Sequence, residues 1–230
     1  MKFSAVIPGG FGWARCNKQT KDFDSDDLAQ SIRIYISLFP SNETRSPEKV
    51  VNMLNDKNYQ LYVGRHNYSV IGISLLYVFQ YLDIGYLDYI AVKSDYQGKG
   101  VGKVLFGFNL HELERLISEA KGLLLEVQRD VANLQDNALR KNRVQFYMQL
   151  GAKILDGVDY ILPPLQSESV PENMYLVMRP LKNIDFLSKE SILQYISSIY
   201  SIIYQYQSDD ILEKISMKTP ARVTLCGMMI

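Results

Sequence analysis

A glycine-rich turn between a predicted strand and a predicted helix constrains this chain more than any other feature of its sequence. The turn, Gln97–Gly102, reads Gln-Gly-Lys-Gly-Val-Gly. The apolar residues Tyr86–Val92 before it predict a strand, and the pattern of Lys103–Ala120 after it predicts a helix. Glycine tolerates positive φ angles and has no Cβ to obstruct a ligand. The backbone N–H groups of such a turn, next to a helix N-terminus, are typical of a pyrophosphate site.

Three phosphate-binding patterns differ in the spacing of their glycines. The P-loop needs four residues between its glycines followed by Lys and Ser or Thr, and this turn lacks that order. The dinucleotide-binding fingerprint has the order Gly-x-Gly-x-x-Gly and an acidic residue about 20 positions later on a second strand. Glu119 has about that spacing, but it lies in the continuing helical pattern. The third pattern, Gln/Arg-x-x-Gly-x-Gly/Ala, fits in register at Gln97, Gly100 and Gly102.

A second motif follows the helix. The apolar run Leu123–Val127 contains one acid, Glu126, and predicts a buried strand. After an irregular polar stretch, Asn142–Ala152 predicts a helix that ends in Tyr-Met-Gln-Leu-Gly-Ala. Gly151 fits the position just after the last helical turn, where a left-handed residue closes the helix.

In this order, the two motifs resemble those of the GNAT superfamily of N-acetyltransferases, and the chain is similar to small bacterial members with a C-terminal extension. In that family Gln/Arg-x-x-Gly-x-Gly/Ala is the coenzyme A pyrophosphate loop, and the second motif ends in Tyr-x-x-Leu-Gly-Phe. The chain departs from the family pattern at Ala152, which replaces that Phe. It also departs at Arg140, where the family often has Asn, and Asn142 is the nearest asparagine. The resemblance covers residues 1–182.

The resemblance implies an α/β fold of the GNAT type. The central sheet of that fold is mixed and mostly antiparallel, one pair of strands splays apart to bind acyl-CoA, and helices cover both faces. It implies an acetyltransferase domain at residues 1–182. Residues 183–230 lie outside the resemblance and form a C-terminal extension, in which the apolar spacing of Ser191–Ser208 predicts a helix and Arg222–Ile230 a last strand. The extension is expected to pack on the domain, while a homodimer contact and a lid over the acceptor site are open alternatives.

The resemblance also implies the cofactor, acetyl-CoA, and the residues that bind it. The loop would hold the pyrophosphate through its backbone N–H groups. The strand before the loop would pair with the pantetheine arm, with the N–H of Ile90 directed at the thioester oxygen. The predicted cofactor-binding residues are Ile90, Ala91, Val92, Gln97, Gly98, Lys99, Gly100, Val101, Gly102, Asn142 and Phe146.

Three residues are predicted to take part in catalysis. Tyr147 matches the tyrosine that donates a proton to the departing sulfur in many family members, and packing of its helix on the sheet is the alternative role. Glu126 and Asp88 are candidates for the base that removes a proton from the acceptor ammonium. The sequence leaves open which of the two acts. Tyr160 lies in a region that lines the acceptor side in related proteins.

The function implied by the resemblance is transfer of an acetyl group to the primary amine of a small molecule or a peptide, by direct attack in a ternary complex. Two alternatives stay open. One is a non-catalytic module that binds or senses acyl-CoA, because a fold does not determine a function. The other is an acyltransferase that uses a longer acyl-CoA donor, with Ser191–Ser208 enclosing the acyl chain.

Composition restricts the class of partner and site. The 230 residues include 25 acidic and 25 basic ones, so the formal net charge is zero and no basic field favours a nucleic acid. Two distant cysteines and two histidines favour neither a disulfide framework nor a metal site. No long apolar run opens the chain, which predicts a cytoplasmic protein without a signal peptide. Ser191–Ser208 is uncharged, but eight of its 18 residues are Ser or Gln, so no membrane-spanning helix is predicted.

The rest of the chain predicts alternating strands and helices. Helices are predicted to begin at Ser25 and at Ser46-Pro47. The stretch Ile161–Pro164 is predicted to be a loop, because prolines cannot donate to a central ladder. Further strands are predicted at residues 2–7, 59–65, 69–79, 83–92, 174–179 and 222–230.

Overall fold

The computed structural model describes residues 12–16, 25–39, 44–131, 134–165, 171–207 and 209–227. Contacts within the chain divide it into two units. The first comprises the described residues of Met1–Gln80 and Gly85–Ser118, and the second comprises those of Tyr81–Ile84 and Glu119–Ile230. The strand predicted at residues 2–7 lies outside the described residues.

The first unit contains four neighbouring strands in the order β1-β2-β3-β4. Both β1–β2 and β2–β3 are antiparallel. Strand β3 is buried along nearly its whole length, which is why its sequence reads as an apolar run and not as an alternation. The elements of this unit are β1 (Gly12–Cys16), α1 (Ser25–Leu38), α2 (Pro47–Met53), β2 (Tyr59–His66), β3 (Ser69–Phe79), β4 (Ile84–Val92) and α3 (Val101–Leu116).

Local chemistry explains where these elements begin and end. The Ser46 side chain accepts a hydrogen bond from the N–H of Lys49 at 3.3 Å, and Pro47 starts α2 without an N–H to satisfy. Asn67 and Tyr68 join β2 to β3 with positive φ angles of 47° and 67°, as a tight two-residue hairpin requires. The predicted starts of α1 and α2 and the predicted strands β2 and β3 are therefore confirmed. Helix α3 ends at Leu116, four residues before the predicted end.

The second unit is built around β8, which has neighbours on both edges. Strand β5 pairs with it antiparallel from Gly122↔Pro180 to Gln128↔Met174. Strands β6 and β7 pair with different parts of the opposite edge, and β10 and β9 extend the sheet from β6. The elements are β5 (Gly122–Gln128), α4 (Asn137–Gln149), β6 (Lys153–Leu155), β7 (Tyr160–Leu162), β8 (Glu172–Pro180), β9 (Phe186–Ser188), α5 (Lys189–Ser198), a π-helical segment (Ile199–Tyr204), α6 (Asp209–Lys218) and β10 (Arg222–Cys226).

The prediction of a loop at Ile161–Pro164 is wrong for its first two residues. Tyr160–Leu162 forms β7, and its three residues pair with Glu172–Met174 of β8. The prolines follow the strand directly, so they remove no donor from the three-residue ladder. The sequence pattern also missed β6, β9 and α6.

The end of the chain forms part of the second unit. The helix predicted at Ser191–Ser208 is confirmed up to Tyr204, as α5 and the π-helical segment, whose apolar face buries Ile192, Ile196, Ile199 and Ile203. The last strand, predicted at residues 222–230, is confirmed over Arg222–Cys226 as β10, which pairs with β6 through Leu225 and Cys226. The division at residue 182 into a domain and an extension stays a prediction. None of the described helices has the length and apolar composition that crossing a bilayer requires.

Gly151 closes helix α4 in a left-handed conformation, with a φ of 81°. The Gly151 N–H donates to the carbonyl of Met148 at 2.9 Å, and the Ala152 N–H donates to that of Tyr147 at 3.0 Å. This pair of bonds is the Schellman motif. A Cβ at residue 151 would also lie 3.0 Å from Nε of Arg179, which itself donates to the Leu150 carbonyl. Two independent constraints therefore favour glycine here.

We expect Gly151→Ala to lower the free energy of unfolding by about 1–2 kcal/mol, because an alanine resists a left-handed backbone. The matched control is Gly107→Ala, since Gly107 lies inside α3 with open space around its missing Cβ. That substitution should stabilise the protein by about 0.5–1 kcal/mol. Thermal and urea unfolding measure both, and equal effects of the two substitutions would contradict the argument.

Candidate active site

The glycine turn of the first unit lies between β4 and α3, as predicted. Gly98 and Gly100 have positive φ angles of 71° and 81°, and a Cβ at either would meet no atom within 4 Å. Gly100 is the N-cap of α3 and has no side chain that could cover the helix end. The first N–H groups of an α-helix lack partners within the helix. The residues present therefore fit a pyrophosphate, which needs an approachable row of backbone donors.

The Gln97 side chain stabilises this turn from within. Its Nε2 donates to the carbonyl of Val92 at 2.9 Å, and the backbone N–H of Gln97 donates to the carbonyl of Ser94 at 3.1 Å. The Lys99 ammonium lies 5.5 Å from the centre of the Tyr96 ring. Gln97–Gly100 are otherwise exposed, so the turn is tied to the end of β4 but open to solvent.

The helix behind the turn packs on the core of the first unit. Val101 and Leu105 are buried against Ile71 of β3, and Ile90 and Val92 of β4 pack on the same cluster. A Cβ at Gly72 would lie 3.3 Å from the Ala91 carbonyl, so β3 and β4 approach closely at this point. This packing fixes the position of the α3 N-terminus relative to the end of β4.

The second half of β4 is partly exposed at alternate residues. Only 2% of the Asp88 side chain is exposed, so the accessible surface of this residue belongs mostly to its backbone. Ile90 and Val92 are also partly exposed, whereas Tyr89 and Ala91 are buried. The two residues predicted to meet the pantetheine arm, Ile90 and Val92, are thus partly accessible.

The Asp88 carboxylate is held in a buried ion pair that the sequence did not reveal. Nη1 of Arg45 lies 3.0 Å from both Asp88 oxygens, and the Tyr59 hydroxyl donates to Oδ2 at 3.4 Å. The same Arg45 nitrogen lies 3.1 Å from the Tyr89 hydroxyl. Burial raises the pKa of Asp88, and the Arg45 guanidinium offsets part of that rise. This geometry is typical of an acid whose role is structural.

Replacing Asp88 should therefore affect stability first. In Asp88→Asn the buried Arg45 guanidinium loses its counter-charge, and we expect a loss of about 3–5 kcal/mol, seen as a fall in Tm of at least about 6 °C. Glu126→Gln is the comparison, because the described hydrogen-bond donors to Glu126 include two phenols and not a guanidinium. Thermal unfolding followed by circular dichroism measures both. An unchanged Tm in Asp88→Asn would contradict the structural role and favour the predicted base.

The Glu126 carboxylate of β5 accepts hydrogen bonds from two tyrosines in the second unit. The Tyr160 hydroxyl of β7 donates to Oε1, and the Tyr204 hydroxyl donates to Oε2 at 2.6 Å. Burial, and next the charge of Glu126, raise the pKa of Tyr160 well above its usual value. Both described contacts are therefore with neutral donors. Tyr204 was missed because its region carries only the periodicity of a buried helix.

The predicted proton donor, Tyr147, is buried on α4 and 7% exposed. Burial raises its pKa to about 12, against a lowering effect of Arg143. Its ring contacts that of Phe146 at a centroid distance of 5.1 Å, edge to face. Because of this raised pKa, Tyr147 keeps its proton over the whole neutral range.

Asn142 lies exposed on the same helix, whereas Arg140, at the family's asparagine position, pairs with Asp136 and Glu172.

Among the described residues, no group of three or more His, Cys, Asp or Glu side chains is arranged to hold a metal ion.

Solved structures with the same fold are numerous. A GNAT-family protein from Bacteroides thetaiotaomicron aligns over 85% of this chain and 99% of its own, with a TM-score of 0.65 and 19% identity. The ribosomal-protein-S18-alanine N-acetyltransferase of Escherichia coli aligns over 75% and 96%, with a TM-score of 0.53 and 20% identity. NAA60 of Arabidopsis thaliana, solved with acetyl-CoA, aligns over 74% and 98%, with a TM-score of 0.54 and 14% identity. These similarities confirm the predicted α/β fold with a mostly antiparallel sheet.

Sequence comparison leads to the same family. No curated protein sequence matches the chain, but residues 28–151 match the model of the Acetyltransferase (GNAT) family. The matched segment is more than half of the chain, and it contains the glycine turn, Glu126 and Tyr147. The chain therefore belongs to the GNAT family of acetyltransferases.

Proposed function

We propose that this protein transfers an acetyl group from acetyl-CoA to a primary amine, by direct attack of the amine in a ternary complex. The observation that carries the proposal is the pair of left-handed glycines, Gly98 and Gly100, at the open N-terminus of α3 in a chain of this family. Two of the structural neighbours agree with it, since one is named for acetylating alanine and the other was solved with acetyl-CoA.

The first unit would bind the cofactor. The backbone of Gln97–Gly102 would hold the pyrophosphate, because the N–H groups and the α3 dipole both favour an anion there. The main chain of Ile90 and Val92, two partly exposed residues, would pair with the pantetheine arm. The N–H of Ile90 would donate to the thioester oxygen, where negative charge develops during attack. Asn142 and Phe146 stay predicted contacts.

Glu126 would act as the base, and we prefer it to Asp88. The bound ammonium would first pass one proton to Glu126, which frees the nitrogen lone pair. The amine nitrogen would then bond to the thioester carbon, the C–S bond would break, and the second proton lost by the nitrogen would balance the charge of the departing thiolate. The two described donors to the Glu126 carboxylate are phenols, which bring no positive charge to it. Asp88 already neutralises Arg45 at 3.0 Å. A carboxylate that receives the proton directly or through one water meets the requirement for general-base catalysis.

Tyr147 would assist departure of the thiolate. Its pKa of about 12 exceeds that of an ordinary thiol, about 8.5. The phenol therefore supplies a hydrogen bond to the departing sulfur rather than a complete proton transfer at equilibrium. Such a donor stabilises the charge that develops on sulfur as the C–S bond breaks.

Binding of acetyl-CoA should depend on the glycine turn. We expect Gly100→Ala to weaken binding by about tenfold, because its left-handed φ strains an alanine by about 1–2 kcal/mol. Gly107→Ala in the same helix is the control and should bind acetyl-CoA like the native protein. Isothermal titration calorimetry measures both. Native affinity in Gly100→Ala would contradict the proposed cofactor site.

Turnover should depend on Glu126 and Tyr147. The assay is release of free thiol from acetyl-CoA in the presence of amines, polyamines, amino acids and peptides with free N-termini. Loss of the base should lower kcat/KM by about 10²–10⁴-fold in Glu126→Gln, and Tyr147→Phe should lower kcat while leaving acetyl-CoA binding intact. Acetyl-CoA binding without turnover on any amine would favour a sensing module. Turnover only with longer acyl-CoA donors would favour the other acyltransferase alternative.

The acceptor panel also separates a small-molecule acceptor from a peptide. The cytoplasmic location, the homodimer contact and the absence of a nucleic-acid partner stay predictions from the sequence.

A further inference from the structure

The end of the π-helical segment contacts the candidate base directly. The Tyr204 hydroxyl donates to Oε2 of Glu126 at 2.6 Å, across 78 residues of sequence, while Tyr160 donates to Oε1. Both carboxylate oxygens are thus engaged, each by a different element. The two hydrogen bonds fix the direction in which the carboxylate plane faces, one oxygen for each phenol.

The segment that carries Tyr204 is itself firmly placed. Tyr200, which is 1% exposed, donates its hydroxyl to the carbonyl of Ile161 in β7, and its ring lies 5.8 Å from that of Tyr160. Gln205 ends the segment with a φ of 51°, and the N–H of Tyr206 returns to the Tyr200 carbonyl at 3.0 Å. π-helical turns are rare and occur frequently at functional sites. Tyr204 is therefore held in place by contacts on both sides.

We propose that Tyr204 is a positioning residue for catalysis, and that the C-terminal π-helical segment belongs to the active site because it orients the Glu126 carboxylate toward the acceptor ammonium. This inference rests on the proposed role of Glu126 as the base. It assigns the C-terminal segment a part in the reaction beyond packing.

The titratable groups that interact with Glu126 include Tyr160 of β7 and Tyr200 and Tyr204 of the π-helical segment. Burial raises the pKa of Tyr160 and of Tyr200, and the charge of Glu126 raises both further. These phenols therefore stay protonated while a carboxyl group titrates. A titration step in the acidic range consequently reports on the carboxylate and not on its donors.

The first test follows the Glu126 carboxyl carbon by NMR in full-length protein labelled with ¹³C at glutamate side chains, with Glu126→Gln identifying the signal. In Tyr204→Phe the anion loses a donor, so we expect its titration midpoint to rise by about one pH unit. Tyr206→Phe makes the same chemical change beside Tyr200 and should leave the midpoint unchanged. An unchanged midpoint in Tyr204→Phe would overturn the inference, and this readout needs no acceptor.

The second test is a double-mutant cycle on turnover with an acceptor from the panel. Tyr204→Phe should lower kcat/KM by about tenfold or more and move the acidic limb of the pH profile to higher pH. In the Glu126→Gln background it should have no further effect, because a residue that acts through Glu126 loses its influence with it. Equal losses in both backgrounds would assign Tyr204 a structural role and overturn the inference.

The two proposals fail in different ways. If Glu126→Gln retains native turnover, the proposed base is wrong, whatever the effect of Tyr204→Phe on the titration midpoint of Glu126. If Glu126→Gln loses turnover but Tyr204→Phe leaves the midpoint and the pH profile unchanged, only the role of the C-terminal segment is wrong.

Discussion

The left-handed backbone of the turn between β4 and α3 is the constraint on which the proposed cofactor site depends. Gly98 and Gly100 have φ angles of 71° and 81°, which strain any residue with a Cβ. No side chain caps the N-terminus of α3 at Gly100, while Val101 and Leu105 pack the first turns of the helix against Ile71. The proposed anion site and the core packing therefore lie within a few residues of each other, so the proposed donors would be fixed before a ligand arrives.

The two candidate acids differ in the charge of their described hydrogen-bond partners, and the roles proposed for them follow from that difference. Asp88 pairs with the buried Arg45 guanidinium, which neutralises the carboxylate, so removing Asp88 should cost stability. The described donors to Glu126 are two phenols, which carry no charge. Similar positions on buried strands thus yield a structural ion pair in one unit and a candidate base in the other.

Much of the fold could be predicted from local sequence chemistry. Ser46-Pro47 predicted the start of α2, and long apolar runs predicted β2, β3 and β5. Strands of three residues, such as β6 and β9, are too short to show a period. The prolines after Leu162 suggested a loop, but pairing of Tyr160–Leu162 with β8 prevailed because those residues keep their own N–H groups. Partners distant in sequence decided each of these cases.

The sequence alone indicated that the backbone can turn left-handed without strain at Gly100 and Gly151, and both glycines belong to the motifs that revealed the family. It also placed Tyr147 in the second motif and Glu126 in a predicted buried strand. Only the tertiary structure decided what those side chains meet. Arg45 reaches Asp88 across 43 residues, and Tyr204 reaches Glu126 across 78. Periodicity and capping describe neighbours along the chain, whereas the charge state and orientation of a buried carboxylate depend on partners that folding brings to it.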